Sequence, residues 1–462
     1  MKKIIALTAF IVVLVLSACS DDIYERQFEG LTFAEARSGF TTSLTRNNTN
    51  DFAIPTPPQG VFDLVHFTSP VGSLAAYVSS DPGDGQQHPL IIWVVGGWSN
   101  GISEFPWSYG DWDNDQSAAA FREAGILMMY PSFRGANGNP GYFESLFGEI
   151  DDIVAAFEFA AALPYVDSSR IYLGGHSTGG TRVLLASAYT DVFRAVFSFG
   201  PVDDIAEHNQ TQFTFNLREA AERELRSPIH WLDDISSPTF IIEGAGGNAD
   251  AIRNMDRATT NANVHPFVVP GGDHFDILAP ITRLAAQKIL DDTGDTVNIS
   301  ITLQELQSAM EQPPISSMPV MVSHTNTDAG VSFLLPFIWE LDVRGEWSFS
   351  YTSPFFDDNF WESSHLFVET FELDDFFVLD ELAEEFGFNQ DGYQGHMDMI
   401  NNQLAFIWEG ISEFEDGERF FNKAVAFQVE GQLTLFDFWV PEIYREPAGY
   451  LFEQVIGSVV IG

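Results

Sequence analysis

The chain has 462 residues and carries 21 Lys and Arg against 66 Asp and Glu, which gives a formal net charge of -45. Hydrophobic residues make up 45% of it, which excludes a generally disordered chain and suffices for the cores of two or three domains. The excess of negative charge excludes nucleic acid as a partner, because the phosphate backbone would be repelled.

The N-terminus has the pattern of a secreted protein. Two lysines precede an apolar run from Ile4 to Leu16, which is too short to cross a bilayer but suits the hydrophobic part of a signal peptide. The run ends in Leu-Ser-Ala-Cys, and Cys19 is the single cysteine of the chain. This segment resembles a bacterial lipobox, which implies that residues 1–18 are removed and that Cys19 is acylated. A plain secretory signal with an incidental cysteine is the alternative.

The residues after the cysteine indicate where the protein is anchored. Ser20 stands where an Asp would retain a lipoprotein at the inner membrane, so the resemblance to sorting in Gram-negative bacteria implies the outer membrane of the cell envelope. Residues 19–60 are predicted to form a polar, lipidated tether, with the membrane as partner through its acyl chains.

Strands and helices alternate between residues 61 and 293. The predicted strands are Val61–Thr68, Ser73–Ser79, Leu90–Val95, Gly125–Tyr130, Arg170–Leu173, Arg194–Phe199, Thr239–Glu243 and Val264–Val269. The predicted helices are Gly148–Ala162, Thr178–Tyr189, Ala249–Thr259 and Ile277–Leu290. This alternation predicts an α/β domain with a mostly parallel, doubly wound sheet, and the two early strands predict an antiparallel edge.

The composition changes after residue 293. Residues 294–330 are predicted to be a linker, and residues 331–462, crowded with Phe, Trp and acidic residues, are predicted to form a smaller α+β domain. A helix is predicted over Phe371–Phe386, with its acidic residues on a solvated face. The opening Phe333-Leu334-Leu335-Pro336 and the final helix followed by an apolar strand resemble the PsbP-like fold.

The segment Gly175-His176-Ser177-Thr178-Gly179 carries the first chemical signal. A bare G-x-S-x-G is a weak motif, but here an apolar strand precedes it and a helix of small and apolar residues follows. This is the strand–turn–helix setting of a nucleophile elbow, which exposes Ser177 at a helix N-terminus. A glycine-rich turn without chemistry is the alternative interpretation.

A serine hydroxyl needs a base to remove its proton. His274 is the candidate because it lies in the loop between the last strand and the last helix of the α/β domain. His265 begins a strand and precedes a proline, which indicates a structural role. His176 adjoins the serine, and its side chain is expected to point away from the serine hydroxyl.

The base in turn needs a carboxylate that orients its ring. The loop after the strand Thr239–Glu243 supplies Asp250 as the predicted acid. Glu243 is set aside because it still belongs to the strand, Asp256 because it lies too far into the next helix, and Asp273 because it is the neighbour of His274.

An oxyanion hole needs two backbone N–H groups beside the nucleophile. Thr178 is predicted to give one, and Gly97 or Trp98, after the strand Leu90–Val95, the other. The glycines at 244, 246 and 247 lack the spacing of a dinucleotide-binding turn, and the histidines are scattered, so no cofactor and no metal are expected.

Residues 61–291 resemble an α/β-hydrolase, and more closely the catalytic domain of the prolyl oligopeptidase family. The likeness rests on Arg134-Gly135 with Gly141-Tyr142, on the segment from Gly148 to Ile171, and on the order Ser177, Asp250, His274. This sequence departs from that family in two ways. Thr178 stands where the family has an aromatic residue, and the propeller domain, which in the family restricts substrates to peptides, is not expected here.

The resemblance implies a serine peptidase acting on peptide substrates. A carboxylesterase on small esters would use the same residues, and a non-catalytic surface-binding lipoprotein is a third hypothesis. The segment from Asp203 to Trp231 is predicted to cap the site. Nothing in the sequence indicates the oligomeric state or the ligand of the C-terminal domain.

Overall fold

The computed structural model describes residues 25–108, 110–312, 319–326, 330–337, 339–343, 348–352, 365–372, 383–384, 388, 393–413, 419–429, 432–442 and 445–461. The predicted signal peptide and Cys19 lie outside the described residues, as does most of the helix predicted over Phe371–Phe386. Within the described part of the chain, no helix has both the length and the hydropathy that a membrane span requires.

Eight strands form one large sheet in the order β1-β2-β4-β3-β5-β6-β7-β8. They are β1 (Phe62–Ser69), β2 (Gly72–Ser79), β3 (His88–Val94), β4 (Leu127–Pro131), β5 (Val166–His176), β6 (Val196–Phe199), β7 (Thr239–Gly244) and β8 (Val264–Val269). The contacts of β1 with β2 and of β2 with β4 are antiparallel, and all other neighbours are parallel. The predicted α/β-hydrolase architecture with an antiparallel edge is confirmed.

Helices cover both faces of this sheet. They are α1 (Phe33–Ser38), α2 (Ala120–Glu123), α3 (Glu149–Ala161), α4 (Thr178–Tyr189), α5 (Ala220–Glu224), α6 (Ala249–Ala258), α7 (Leu278–Asp291) and α8 (Leu303–Met310). The core on one face includes residues of α1, α3, α4 and α6, and the core on the other includes residues of α2, α7 and α8. The central strands are apolar runs because both of their faces are covered.

The N-terminal segment packs on the large domain and is not a tether over its described part. Thr32 and Glu35 form a capping box that starts α1, and the Phe33 ring is fully buried 5.0 Å from the ring of Trp231. Arg37 donates to the Phe147 carbonyl at 2.8 Å. The prediction of a free tether over residues 19–60 is therefore wrong from residue 25 onward.

Buried carboxylates of the predicted cap, the segment from Asp203 to Trp231, also hold the N-terminal segment. The Glu224 side chain accepts hydrogen bonds from the Arg26 guanidinium at 2.9 Å and from the Gln27 N–H at 2.5 Å. The Glu222 side chain accepts from the Ser43 N–H at 2.7 Å and pairs with the buried Arg226. Because each buried charge has a partner, the docking of this segment satisfies groups that would otherwise be costly to bury.

The predicted linker over residues 294–330 is also shorter than expected. Residues 303–310 form α8, which packs against α7 through the fully buried Leu306, and Lys288 of α7 pairs with Glu305 of α8. The α/β domain therefore extends to residue 312. The cause is a capping box at Thr302 and Glu305, which starts a helix inside a stretch whose composition resembles a loop.

The C-terminal region is built from antiparallel sheets and a helix. Seven strands pair in the order β11-β12-β13-β17-β16-β15-β14, and three more in the order β18-β10-β9. These are β9 (Met321–Asn326), β10 (Val331–Pro336), β11 (Glu340–Val343), β12 (Ser348–Thr352), β13 (His365–Glu372), β14 (Gln394–Ile400), β15 (Gln403–Glu413), β16 (Arg419–Val429), β17 (Gln432–Pro441) and β18 (Val460–Ile461), with helix α9 (Arg445–Gly457) before β18. The additional antiparallel domain agrees with the predicted α+β region, while its likeness to the PsbP-like fold stays a prediction.

Candidate active site

Ser177 lies at the sharp turn between β5 and α4. Its φ of 57° and ψ of -118° are strained for a residue with a side chain. A Cβ on Gly175 would lie 2.8 Å from the Val94 oxygen, and one on Gly179 would collide with the same carbonyl. The two glycines therefore let the strand, the turn and the helix approach closely enough to present the serine at the sheet edge.

His274 lies at the same edge of the sheet as Ser177. The Ser177 N–H donates to the Phe199 carbonyl at 2.8 Å, and the next residue, Gly200, lies directly against the imidazole. A Cβ on Gly200 would stand 2.5 Å from His274 Cε1. The end of β6 thus holds the serine turn on one side and receives the histidine ring on the other.

The carboxylate that contacts His274 is Glu243. His274 Nδ1 donates to Glu243 Oε2 at 2.8 Å, and the Glu243 side chain is fully buried. Because the Nδ1–H donates its hydrogen bond to the carboxylate, Nε2 is the ring nitrogen with the lone pair that can take a proton. This is the histidine–carboxylate arrangement that a serine nucleophile requires.

A glycine-rich loop surrounds the Glu243 carboxylate. Oε1 accepts the N–H of Gly244 at 2.7 Å and Oε2 accepts the N–H of Asn248 at 3.0 Å. A Cβ on Gly247 would lie 2.6 Å from the Glu243 carboxyl carbon, so the loop folds over the carboxylate only because it lacks side chains. Gly244 and Gly247 thus shape the loop around this carboxylate.

The assignment of Asp250 as the acid is corrected by this geometry. The Asp250 side chain is 94% exposed and pairs with Arg253, one turn further along α6, at 2.7 Å. Glu243 stands earlier in the chain than the expected loop position, but its extra methylene extends the carboxylate beyond the end of the strand. The signal that could have identified it is the Gly-Ala-Gly-Gly-Asn sequence directly after it.

His176, which the sequence predicts to point away from the serine hydroxyl, is buried beside the loop of His274. Its Nε2 donates to the backbone carbonyl of His274 at 2.8 Å, and its Nδ1 contacts the Gln116 side-chain amide at 3.0 Å. Burial, and then the neighbouring His274, lower the pKa of His176 to about 3, so its ring is neutral at ordinary pH. His176 therefore links the serine turn to the histidine loop without carrying charge.

The predicted oxyanion residues lie around the turn. The Thr178 hydroxyl donates to the Gly97 carbonyl at 2.6 Å, which ties the loop after β3 to the start of α4. A Cβ on Gly96 would lie 3.2 Å from Ser177 Cβ, so the loop passes directly beside the nucleophile. The roles of the Thr178, Gly97 and Trp98 N–H groups stay a prediction.

The Trp98 ring packs against aromatic side chains of the predicted cap. The Trp98 ring lies 5.6 Å from the rings of His208 and Phe213. His208 Nε2 is 3.1 Å from the Thr181 hydroxyl, and burial lowers the pKa of His208 to about 4. Phe213 and Phe215 of the predicted cap are buried and stacked, so their role is packing.

The described residues contain no group of three or more His, Cys, Asp or Glu side chains arranged to hold a metal ion. The geometry brings a carboxylate-oriented imidazole to the sheet edge at which the strained turn presents a serine. Such a pair suits nucleophilic attack on a carbonyl carbon.

Comparison with known proteins agrees with this chemistry. Residues 112–246 match the model of the prolyl oligopeptidase family. The polyketide transferase claH of Penicillium crustosum is 35% identical over 95 residues, which are 20% of this chain and 31% of that protein.

Solved structures with similar folds include peptidases and esterases. A puromycin-hydrolyzing peptidase of Mycobacterium tuberculosis is 21% identical, with a TM-score of 0.41 over 50% of this chain and 39% of that one. An esterase of Pyrobaculum calidifontis is 13% identical, with a TM-score of 0.39 over 56% of this chain and 88% of that one. This chain thus covers less than half of the length of the polyketide transferase and of the puromycin-hydrolyzing peptidase. What the comparisons identify is a segment, residues 112–246, that matches the prolyl oligopeptidase family within a fold of the α/β-hydrolase class.

Proposed function

We propose that this protein is a serine hydrolase in which Ser177 is the nucleophile, His274 the general base and Glu243 the acid that orients it. The observation that carries the proposal is the 2.8 Å hydrogen bond from His274 Nδ1 to the buried Glu243, at the sheet edge where the strained turn presents Ser177. The family match over residues 112–246 supports the same class of enzyme.

The mechanism follows from the lone pair on His274 Nε2. This atom takes the Ser177 proton as the hydroxyl oxygen attacks a carbonyl carbon, and Glu243 stabilises the imidazolium that results. The N–H of Thr178, with that of Gly97 or Trp98, would stabilise the oxyanion. His274 then gives the proton to the leaving group, and a water activated by the same imidazole releases the acyl group and restores Ser177.

A peptide is the proposed substrate, because the segment that contains the nucleophile matches a peptidase family. A small carboxylic ester is the second candidate, since the same three side chains would cleave it. Hydrolysis of a panel of aminoacyl p-nitroanilides beside p-nitrophenyl esters separates the two. Turnover of esters with no amide turnover would overturn the peptidase assignment and leave the hydrolase assignment standing.

Covalent labelling tests the catalytic proposal. We expect a fluorophosphonate probe to label the native protein and the exposed-site control Ser103→Ala, while Ser177→Ala takes no label. A native protein that takes no label would contradict the proposal and favour a non-catalytic surface-binding lipoprotein.

We also propose that the protein is anchored in the cell envelope through acylated Cys19, in the outer membrane of a Gram-negative cell. The support is the lipobox-like sequence that ends at Cys19 and the Ser20 that follows. Radiolabelled palmitate should enter the native protein but not Cys19→Ser, and outer-membrane fractions should contain the native protein alone. Equal labelling of the two proteins would contradict lipidation at this residue.

A further inference from the structure

A groove of about 710 Å³ lies between α7 and α8, beside the loop that carries His274. Its volume falls within the range of about 300–1,000 Å³ that is usual for small-molecule sites. The walls are mostly apolar, and they include Trp112, Ala279, Pro280, Leu284, Ala309 and Met310. None of these residues belongs to the catalytic arrangement described above.

The groove is continuous with the histidine loop. Asp276, two residues after His274, lines it. A Cβ on Gly272, in the same loop, would lie 3.0 Å from the terminal methyl of Met310. Phe275, between His274 and Asp276, is 44% exposed, and its ring lies 4.9 Å from the His274 ring. An exposed aromatic ring therefore lies beside the imidazole, one residue before a side chain that lines the groove.

Asp276, which lines the groove, lies within electrostatic reach of the Glu243 carboxylate. Burial raises the pKa of Asp276, and the carboxylates of Asp273, Asp113 and Glu243 raise it further. Glu243 is the residue that orients His274, so the influence of its charge on Asp276 agrees with the short path along the loop.

The chemistry decides which part of a substrate this side receives. His274 Nε2 must give its proton to the leaving group, so the leaving group lies on the imidazole side of Ser177. The predicted oxyanion N–H groups belong to other elements, the loop after β3 and the start of α4, which the Thr178 hydroxyl ties together. A groove that begins beyond His274 is therefore placed for the alcohol or amine part of the substrate and not for its acyl part.

We propose that this groove is the leaving-group subsite and that it selects neutral, apolar leaving groups. This proposal rests on the proposed function. Asp276 lines the groove, and the carboxylates of Asp113 and Asp273 lie within its electrostatic reach. The cation among the lining residues, Arg283, pairs with Glu123 at 3.5 Å. A leaving group that carries a free carboxylate would meet repulsion there. The favoured substrates are therefore esters or amides whose departing part is uncharged and apolar.

Acetate esters with different alcohol parts test the subsite, because all of them form the same acetyl-enzyme. The measurement is kcat/KM for ethyl acetate, hexyl acetate and 6-acetoxyhexanoate, followed by acid release in a pH-stat. We expect hexyl acetate to exceed ethyl acetate by about tenfold or more, since each buried methylene contributes about two- to fourfold. The ester with the terminal carboxylate should fall about tenfold or more below hexyl acetate at low salt.

Two tryptophan variants on α8 localise the effect. Ser308 is exposed and lines the groove, so Ser308→Trp should fill it and lower kcat/KM for hexyl acetate about tenfold, with ethyl acetate within about threefold. Leu303 is exposed on the same helix and does not line the groove, so Leu303→Trp should retain the preference of the native enzyme.

The possible results separate the two proposals. A native enzyme that takes the fluorophosphonate label but shows no preference for hexyl over ethyl acetate would overturn the subsite alone. Equal effects of Ser308→Trp on both esters would do the same, and efficient cleavage of the carboxylate ester would overturn the charge selection. A native enzyme that takes no label would overturn the proposed function and, with it, the subsite.

Discussion

His176 holds the loop that carries His274 through one hydrogen bond. Its ring is 1% exposed, and its Nε2 donates to the His274 carbonyl, so it acts on the backbone that carries the imidazole and not on a substrate. It is a positioning residue in the proposed mechanism. Small displacements of a catalytic group cost a large part of the rate, so this bond should matter for turnover.

Two replacements of His176 test that role. His176→Phe keeps the ring volume but leaves the His274 carbonyl without its donor, and we expect kcat to fall about 10- to 100-fold with KM changed little. His176→Gln retains a donor and should recover most of the loss. Steady-state kinetics on one ester measures both. Equal activities of the Phe and Gln variants would show that the hydrogen bond has no part in catalysis.

The buried histidines also predict how stability depends on pH. The pKa of His176 in the folded protein is about 3 and that of His208 about 4, below the value of about 6.5 in the unfolded chain. Between these limits the unfolded chain binds more protons, so acidification from pH 7 to pH 4.5 should lower the free energy of unfolding. Urea unfolding of His176→Gln should show a smaller loss over the same interval than the native protein. A loss of equal size in both would contradict the depressed pKa of His176.

The sequence predicts Ser177 and His274 as site residues, but it does not predict that Glu243 is the carboxylate in contact with His274. The serine is flanked by glycines that its strained turn requires, and the histidine stands in the last loop of an alternating pattern. Loop position favours Asp250, whereas in the structure the carboxylate that contacts His274 comes from the strand, on a longer side chain. Position along a chain does not encode side-chain reach, so the sequence favours Asp250.

The N-terminal segment packs as part of the α/β domain. Helix α1 is only six residues long, so it depends on tertiary packing and not on its own propensity. Its Phe33 lies between the rings of Trp231 and Tyr189, and the Phe33 N–H donates to Asp234 at 2.7 Å. The segment thus joins the cap to α4.

Truncation of Phe33 tests this docking. Phe33→Ala should lower the free energy of unfolding by about 3–5 kcal/mol, because it opens a cavity in a closed aromatic cluster. Phe52→Ala, at a ring that is 68% exposed in the same segment, should change it by less than about 0.5 kcal/mol. Equilibrium urea unfolding measures both. A change at Phe33 as small as that at Phe52 would support the tether that the sequence suggested.

The strands of the large sheet were predictable because burial on both faces demands long apolar runs. The docked N-terminal segment and α8 were not, since both are short, polar on one side and held by contacts with distant residues. Arg26 and Gln27 bond to Glu224, and Lys288 pairs with Glu305. Such contacts leave no periodic pattern in the sequence.

For the whole molecule, charge is the dominant feature. The chain carries 66 acidic side chains and 21 basic ones, and many of the basic ones are committed to ion pairs such as Arg134 with Asp152 and Arg194 with Asp292. The remaining carboxylates repel one another in the compact state more than in the expanded chain.

Salt should therefore stabilise this protein. Raising NaCl from about 0.05 M to about 1 M shortens the screening distance from more than 10 Å to about 3 Å, and we expect Tm to rise. KCl at the same concentration should give the same rise, because screening does not depend on the cation. A Tm that falls with salt would mean that ion pairs outweigh the repulsion of the excess carboxylates.

In the proposed mechanism Glu243, and not Asp250, orients His274. The most direct test compares kcat/KM of Glu243→Gln and Asp250→Asn on one ester that the native enzyme hydrolyses. We predict a loss of about 10³-fold or more for Glu243→Gln, since the amide cannot stabilise the imidazolium, and a change within about twofold for Asp250→Asn. A large loss of kcat/KM in Asp250→Asn, with Glu243→Gln near native activity, would contradict the assignment of Glu243 as the residue that orients His274.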